Sequence, residues 1–219
     1  MQYNIHVIPN SGWKPRFFSI YNQFKDQITK KIVIELETSR IIPSTSCNSI
    51  GIFTQPKRDK PQEARFQLDW IPRNLSTYKN KTLMTSMEQI EDFIGSRPFR
   101  SKLDLTDRYH NIRIYADLVS DLTFTCHMGK FDCLVMQQGE CNAPATMMRG
   151  IDYLFREVKD HMIYLDNILI ANHTYEEHIN SIRQVLQIVK QNKLWFNRHK
   201  CQFMADELAI LGDYLTELE

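Results

Sequence analysis

Two short apolar runs, Met162–Leu165 and Ile168–Ala171, leave only the polar pair Asp166–Asn167 between them. Each run is the length of a strand and too short for a helix, and aspartate and asparagine both suit tight turns. The spacing therefore predicts two strands joined by a turn at Asp166–Asn167, which is an antiparallel pairing. A second hairpin is expected in "SIGIFTQPKRDKPQEARFQLDW", where β-favouring runs flank a polar turn around Arg58, Asp59, Lys60 and Pro61. Helices fall between such strands. Phe24, Ile28, Ile32 and Leu36 recur every four residues across Tyr21–Arg40, and Pro43 cannot continue that helix. Residues 85–95 place Met87, Ile90 and Phe93 inward before Gly95, and "APATMMRGIDYLFREV" returns to helical spacing. Thr174 and Glu177 form a capping box opening a helix with Ile179, Ile182, Leu186 and Val189 on one face. Residues 99–115 alternate in strand fashion, and the stretch from Lys193 reads as short strands. Interleaved helices with hairpin-paired strands predict an α+β fold, not a doubly wound sheet.

Composition narrows the class. The 219 residues carry a net charge of +1, so a nucleic-acid surface would have to come from local clustering. No apolar run approaches the ~20 residues of a membrane-spanning helix, and the N-terminus lacks a secretory layout. An intracellular chain, cytoplasmic or nuclear, is expected. Cys47, Cys126, Cys133, Cys141 and Cys201 are odd in number and scattered without a CxxC pair, which predicts free thiols. His173 and His178 flank "TYEE" without forming HExxH, so they are expected on the surface near the start of the capped helix.

Two aspartates stand inside apolar strands, Asp104 in "KLDL" and Asp166 in "IYLDNILI". A carboxylate in such a setting must be paired, hydrogen-bonded or bound to metal. Each alone is explained by backbone N–H bonds at a strand end or turn. The two together on neighbouring strands suggest a divalent-metal site for phosphoryl transfer.

From about residue 40 to residue 216 the chain resembles the reverse transcriptase domain of gypsy-class long-terminal-repeat retrotransposons, a part of the retroelement pol polyprotein. "IIPSTSCNSIGIFTQPKRDK" is similar to the fingers hairpin entry and "ARFQLDW" to the strand after it. "SKLDLTDRYHNIRI" resembles S-K-L-D-L-x-x-G-Y-H-x-I-R-I, and "LVMQQGECNAPATM" resembles L-V-M-x-x-G-x-x-N-A-P-A-T. "YLDNILIANHTYEEHI" resembles Y-L-D-D-I-L-I-x-x-x-T-x-E-E-H, and "NKLWFNRHKCQF" with "LGDYL" completes the series in family order.

The resemblance implies the fingers and palm subdomains of a right-hand polymerase, with an antiparallel palm sheet packed on helices. It implies an N-terminal segment over 1–40 containing the amphipathic helix, a fingers-like region over 41–98 and a palm-like region with fingers elements over 99–219. Thumb and RNase H regions are expected to be absent, which would leave a weak hold on primer–template. The implied activity is that of an RNA-directed DNA polymerase, a nucleotidyltransferase using two metal ions, acting on primed RNA or DNA template with deoxynucleoside triphosphates. Asp104 and Asp166 would be catalytic and hold two Mg2+ ions, with Mn2+ as a possible substitute. Arg65, Tyr109, Gln138 and Gly139 would line the nucleotide site, Arg65 as a planar donor to phosphate and Tyr109 as the aromatic crowding the sugar 2′ position. From the residues alone, Tyr109 reads equally as a half-buried strand aromatic, Gln138 as a loop residue and Arg65 as part of a surface pair. Lys57, Arg58 and Lys60 at the hairpin tip, with Arg97, Arg100, Lys102, Arg108 and Arg113, would follow nucleic-acid phosphates, or else form solvated faces.

The chain departs from the pattern at several positions: Ile71 replaces the arginine of D-Y-R, "KTLMTS" lacks the prolines of Y-P-L-P, and two further changes bear on activity. Asn167 stands where the family has a second aspartate. At ~4 Å and an effective dielectric near 20, the lost charge is worth up to roughly 8 kcal/mol against a divalent ion before solvation offsets. Even a third of that would slow the reaction on the order of 10²-fold. Arg108 stands where the family has a glycine that lets backbone approach the triphosphate, and is expected to obstruct. An impaired polymerase is the leading expectation. The alternative is a non-catalytic degenerate remnant that at most binds nucleic acid.

Overall fold

The computed structural model of the chain describes residues 2–6, 8, 14–58, 60–80, 85–106, 108–165, 167–210 and 213–215, with Arg108, Ile210 and 213–215 described by backbone alone. The strands are β1 (Gln2–Tyr3), β2 (Ile41–Pro43), β3 (Ile50–Pro56), β4 (Ala64–Leu68), β5 (Phe99–Thr106), β6 (Arg113–Ile114), β7 (Thr123–Cys126), β8 (Gly129–Cys133), β9 (His161–Tyr164), β10 (Asn167–Asn172), β11 (Trp195–Phe196), β12 (Leu208–Ile210) and β13 (Asp213–Leu215). The helices are α1 (Asn22–Glu37), α2 (Ile71–Leu75), α3 (Met87–Ile94), α4 (Ala143–Phe155) and α5 (Tyr175–Gln191). The fold is α+β. Among the described residues no helix is long and apolar enough to cross a membrane. All five cysteines are free thiols.

The chain divides into two compact units. One comprises residues 1–80 and 109–143 and contains a five-stranded sheet in the order β2-β8-β7-β3-β4, antiparallel except where β3 runs parallel to β7. Phe24, Ile28 and Ile32 bury the inner face of α1, as their four-residue spacing predicts. The β3–β4 hairpin forms with Gln55 opposite Arg65.

The other unit comprises residues 81–108 and 144–219 and contains the sheet β11-β5-β10-β9, antiparallel throughout. Its strand β10 is buried at every position from Asn167 to Asn172. The α3 helix opens on a complete Ser86–Gln89 capping box and packs Ile90 and Ile94 against Tyr164, Leu169 and Leu208. The Thr174–Glu177 box is also complete.

Four expectations are corrected. The strand alternation of residues 99–115 is broken by a 3-10 turn at Arg108–Asn111, because "DRYHN" offers no apolar alternation to bury. The turn after β9 lies one residue earlier than the Asp166–Asn167 pair. Asn167 is already in β10 opposite Tyr164, continuing the register that pairs Ile163 with Ile168. The buried face of α5 is His178, Ser181, Val185 and Val189, whereas Leu186 is largely exposed. His178 is thus fully buried, while His173 is exposed as expected. Polar residues take this inner face because each finds a partner. The His178 ring meets Ser101 Oγ through Nε2 at 2.8 Å and Asn172 Oδ1 through Nδ1 at 2.8 Å. Burial holds its pKa below the ordinary histidine value.

Candidate active site

Asp104 sits on β5 with Leu103 and Leu105 buried on either side. Its direct cross-strand partner is Asn167, the first residue of β10. Residues facing each other this way present their side chains on one face, with Cβ atoms about 4.5–5.5 Å apart. Both are nearly buried, at 8% exposure each. The carboxylate and the amide therefore share one confined patch at the mouth of the β9–β10 hairpin. Leu165 enters that turn at φ 52°, a left-handed conformation that costs a branched residue roughly 1–2 kcal/mol. A two-residue loop requires such a φ to match the strand twist. Asp166, the other expected metal ligand, lies outside the described residues.

The loop Asn197–Gln202 wraps this part of β5. The Asn197 N–H donates to the Asp104 carbonyl at 2.8 Å, and the Asp104 N–H donates to Cys201 Sγ at 3.4 Å. Lys102 and Gln202 exchange two backbone bonds of 2.8 Å. Lys200 leaves the loop so that its Nζ lies 3.6 Å from Asp104 Oδ2. An ammonium thus faces the carboxylate. Among the described residues no three His, Cys, Asp or Glu side chains converge as a metal cluster. Asp104 and Asn167 nevertheless offer only oxygen ligands of the kind Mg2+ takes, a carboxylate and an amide carbonyl.

Of the expected nucleotide-site residues, Arg65, Tyr109, Gln138 and Gly139 belong to the other unit, and Arg108 to this one. Arg65 is exposed on β4 and makes no ion pair with a described residue. Tyr109 is half-buried in the 3-10 turn, and the side chain of Arg108 is not described. Gln138 is exposed. Gly139 has φ 99°, and a Cβ there would come within 2.9 Å of Trp70 Cδ1, so both backbone and space demand glycine. Asn74 fastens this loop, donating to the Gly139 carbonyl at 2.9 Å and accepting from the Cys141 N–H at 2.9 Å. Asn142 ties it to Tyr78 and Asn80 with bonds of 2.8 Å each.

At the β3–β4 tip, Lys57 is ion-paired to Glu63, and Lys60 Nζ is 3.5 Å from Glu63 Oε1. Arg58 is exposed. Among the described residues of the second basic cluster only Arg100 is buried, and Arg113 is exposed. Arg100 is buried and donates to the carbonyls of Arg97 and Asp206, Lys102 reaches the Ala209 carbonyl, and Arg113 reaches that of Ser39. Arg97 lies over the Phe93 ring and 3.8 Å from Asp160. These cations satisfy carbonyls of their own unit, which charge counting along a sequence does not reveal.

Residues 65–215 match the family described as reverse transcriptase (RNA-dependent DNA polymerase). The chain belongs to that family. Its relatives include the Tf2-7 and Tf2-3 transposon polyproteins of Schizosaccharomyces pombe, 32% and 30% identical over 184 residues. The match covers 83% of this chain and 14% of each polyprotein, so the chain spans a small part of their length. Its fold is that of the foamy viral protease-reverse transcriptase. The TM-score is 0.84 at 22% identity to the form in complex with double-stranded DNA, covering 98% of this chain and 38% of that one. It is 0.82 at 21% identity to the form in complex with RNA/DNA hybrid, covering 97% and 29%.

Within this reverse transcriptase domain two features escape sequence reasoning. Lys200 approaches Asp104 only because a non-local loop folds back on β5. Glu140 is a buried carboxyl that accepts from the Asn142 N–H at 2.9 Å, and burial pushes its pKa up. The neighbouring Cys141 thiol is pushed up to about 11 by burial and then by the Glu140 charge. Nothing local in "QGEC" signals a buried acid.

Proposed function

We propose that this chain is the polymerase part of a gypsy-class retrotransposon polyprotein, an RNA-directed DNA polymerase impaired at its metal site. The unit of residues 1–80 and 109–143 is then fingers-like, and the unit containing β5, β9 and β10 is palm-like. The reading is carried by one observation: in a chain of this family, Asp104 is registered directly opposite Asn167 at the head of the β9–β10 hairpin. Asp104 and Asp166 are the residues that would hold two Mg2+ ions, or Mn2+ in their place. What those ions supply when bound is positive charge for the attacking and leaving oxygens of an in-line displacement at phosphorus. Asn167 keeps an oxygen toward that site but brings no charge. Arg65 binds the incoming triphosphate, Tyr109 crowds the sugar, and Gln138 with Gly139 shapes the nucleotide pocket. Arg108 obstructs the backbone approach there. Arg58 and the partly neutralised Lys57 and Lys60 meet the template. The partners are a primed RNA or DNA template and deoxynucleoside triphosphates.

Asn167 also favours a second reading, a non-catalytic remnant that retains nucleic-acid binding. Primer extension on an RNA template separates the two. The unmodified chain should extend barely, and Asn167→Asp combined with Arg108→Gly should raise extension on the order of 10²-fold. Robust extension by the unmodified chain would overturn the impairment. Salt-sensitive binding to RNA–DNA hybrid with no extension by the folded double variant would favour the remnant.

A further inference from the structure

We propose that Lys200 is a positioning residue that acts through Asp104: an internal counter-ion which a divalent metal must displace. The inference rests on reading Asp104 as a metal ligand. Its basis is the way Lys200 is mounted. An exposed lysine beside an aspartate is ordinarily a loose pair of little consequence. Here the lysine backbone is fixed on both sides of the residue it serves. The Lys200 and Cys201 N–H groups both donate to the Asn197 carbonyl, at 2.9 and 3.2 Å. Asn197 in turn donates to the Asp104 carbonyl, and its side chain accepts from the His199 N–H at 3.3 Å. Cys201 takes the Asp104 N–H on its sulfur. The loop thus grips β5 at the carbonyl and amide of Asp104 itself, and Lys200 projects from the middle of the grip.

Charge balance gives this placement its consequence. Asp104 and Asn167 share a face and bring one negative charge between them, which one ammonium neutralises. The Lys200 side chain is 62% exposed while that of Asp104 is 12% exposed, so the lysine can swing into water without unfolding the loop. Metal binding at Asp104 is therefore an exchange of cations.

Titration of Mn2+ into the full chain, with free Mn2+ followed by electron paramagnetic resonance, tests this without reference to activity. Lys200→Met should tighten the Asp104-dependent site about three- to fivefold, the scale of an exposed ion pair. Lys200→Gln should do the same with a polar side chain, and Lys200→Arg should stay near the unmodified affinity. The difference should shrink as salt is raised. Asp104→Asn should abolish that site in either background. Equal or weaker Asp104-dependent binding after Lys200→Met and Lys200→Gln would overturn the inference and leave the metal reading intact. No Asp104-dependent binding in any of these chains would overturn both.

Discussion

The two hairpins of this chain solve the same topological problem in opposite ways. The β3–β4 hairpin takes seven residues to turn, carries its charges at the tip and pairs two of them, Lys57 and Lys60, with Glu63. The β9–β10 hairpin turns in two residues, accepts a left-handed Leu165 and buries every side chain of β10. A long exposed turn tolerates variation because no neighbour depends on its geometry. A tight turn feeding a buried strand has its register set by packing, and a one-residue slip would turn every side chain to the opposite face. Strained backbone of this kind persists where the surroundings over-determine it, and such places are frequently functional. The contrast identifies the second hairpin as the more constrained feature.

Substitutions can break or sharpen this contrast. Leu169→Ala, in fully buried β10, should lower the unfolding free energy by about 2–5 kcal/mol in urea denaturation. A loss below about 1 kcal/mol would mean that the hairpin is less tightly packed than its burial indicates. The unit with the open hairpin has its own constrained position at Gly139, whose φ of 99° suits glycine alone. Gly139→Ala should cost about 1–3 kcal/mol by the same measurement, because an alanine Cβ meets Trp70 at an unfavourable φ.

A third test reads the polar network beside β10. The folded chain holds the His178 pKa below its unfolded value, so between those two pKa values the unfolded chain binds more protons. The stability that this group contributes is complete above about pH 6.5 and is lost as pH falls through the folded pKa. His178→Asn should flatten that part of the pH profile in chemical unfolding. A slope unchanged by the substitution would assign the effect elsewhere. The smallest effect belongs to the open hairpin, where Lys57→Ala should leave the urea midpoint unchanged.

What was legible in the sequence follows the range of the forces involved. The Thr174–Glu177 capping box, the α1 stripe and the two hairpins rest on neighbours within a few residues, and all of them form. The buried α5 face departs from the apolar spacing because His178 and Ser181 are solvent-facing by hydropathy yet lie inside. The partner that allows His178 inside, Ser101, is 77 positions away. Arg100 and Lys102 read as a basic surface for the same reason, since each also satisfies a carbonyl more than 100 positions downstream. At the candidate site, Asp104 and Asn167 could be identified individually from the family motifs. Their pairing and the grip of Asn197–Gln202 on Asp104 required the folded chain, with Asp104 and Cys201 97 positions apart.

The central claim is that this domain carries a reverse transcriptase site weakened by one missing charge. Primer extension at saturating Mg2+, comparing the unmodified chain with Asn167→Asp alone and using Asp104→Asn as the dead control, measures it most directly. A gain on the order of 10²-fold for Asn167→Asp, abolished by adding Asp104→Asn, is the expected result. Equal extension by the unmodified and Asn167→Asp chains, at a level that Asp104→Asn abolishes, would contradict it.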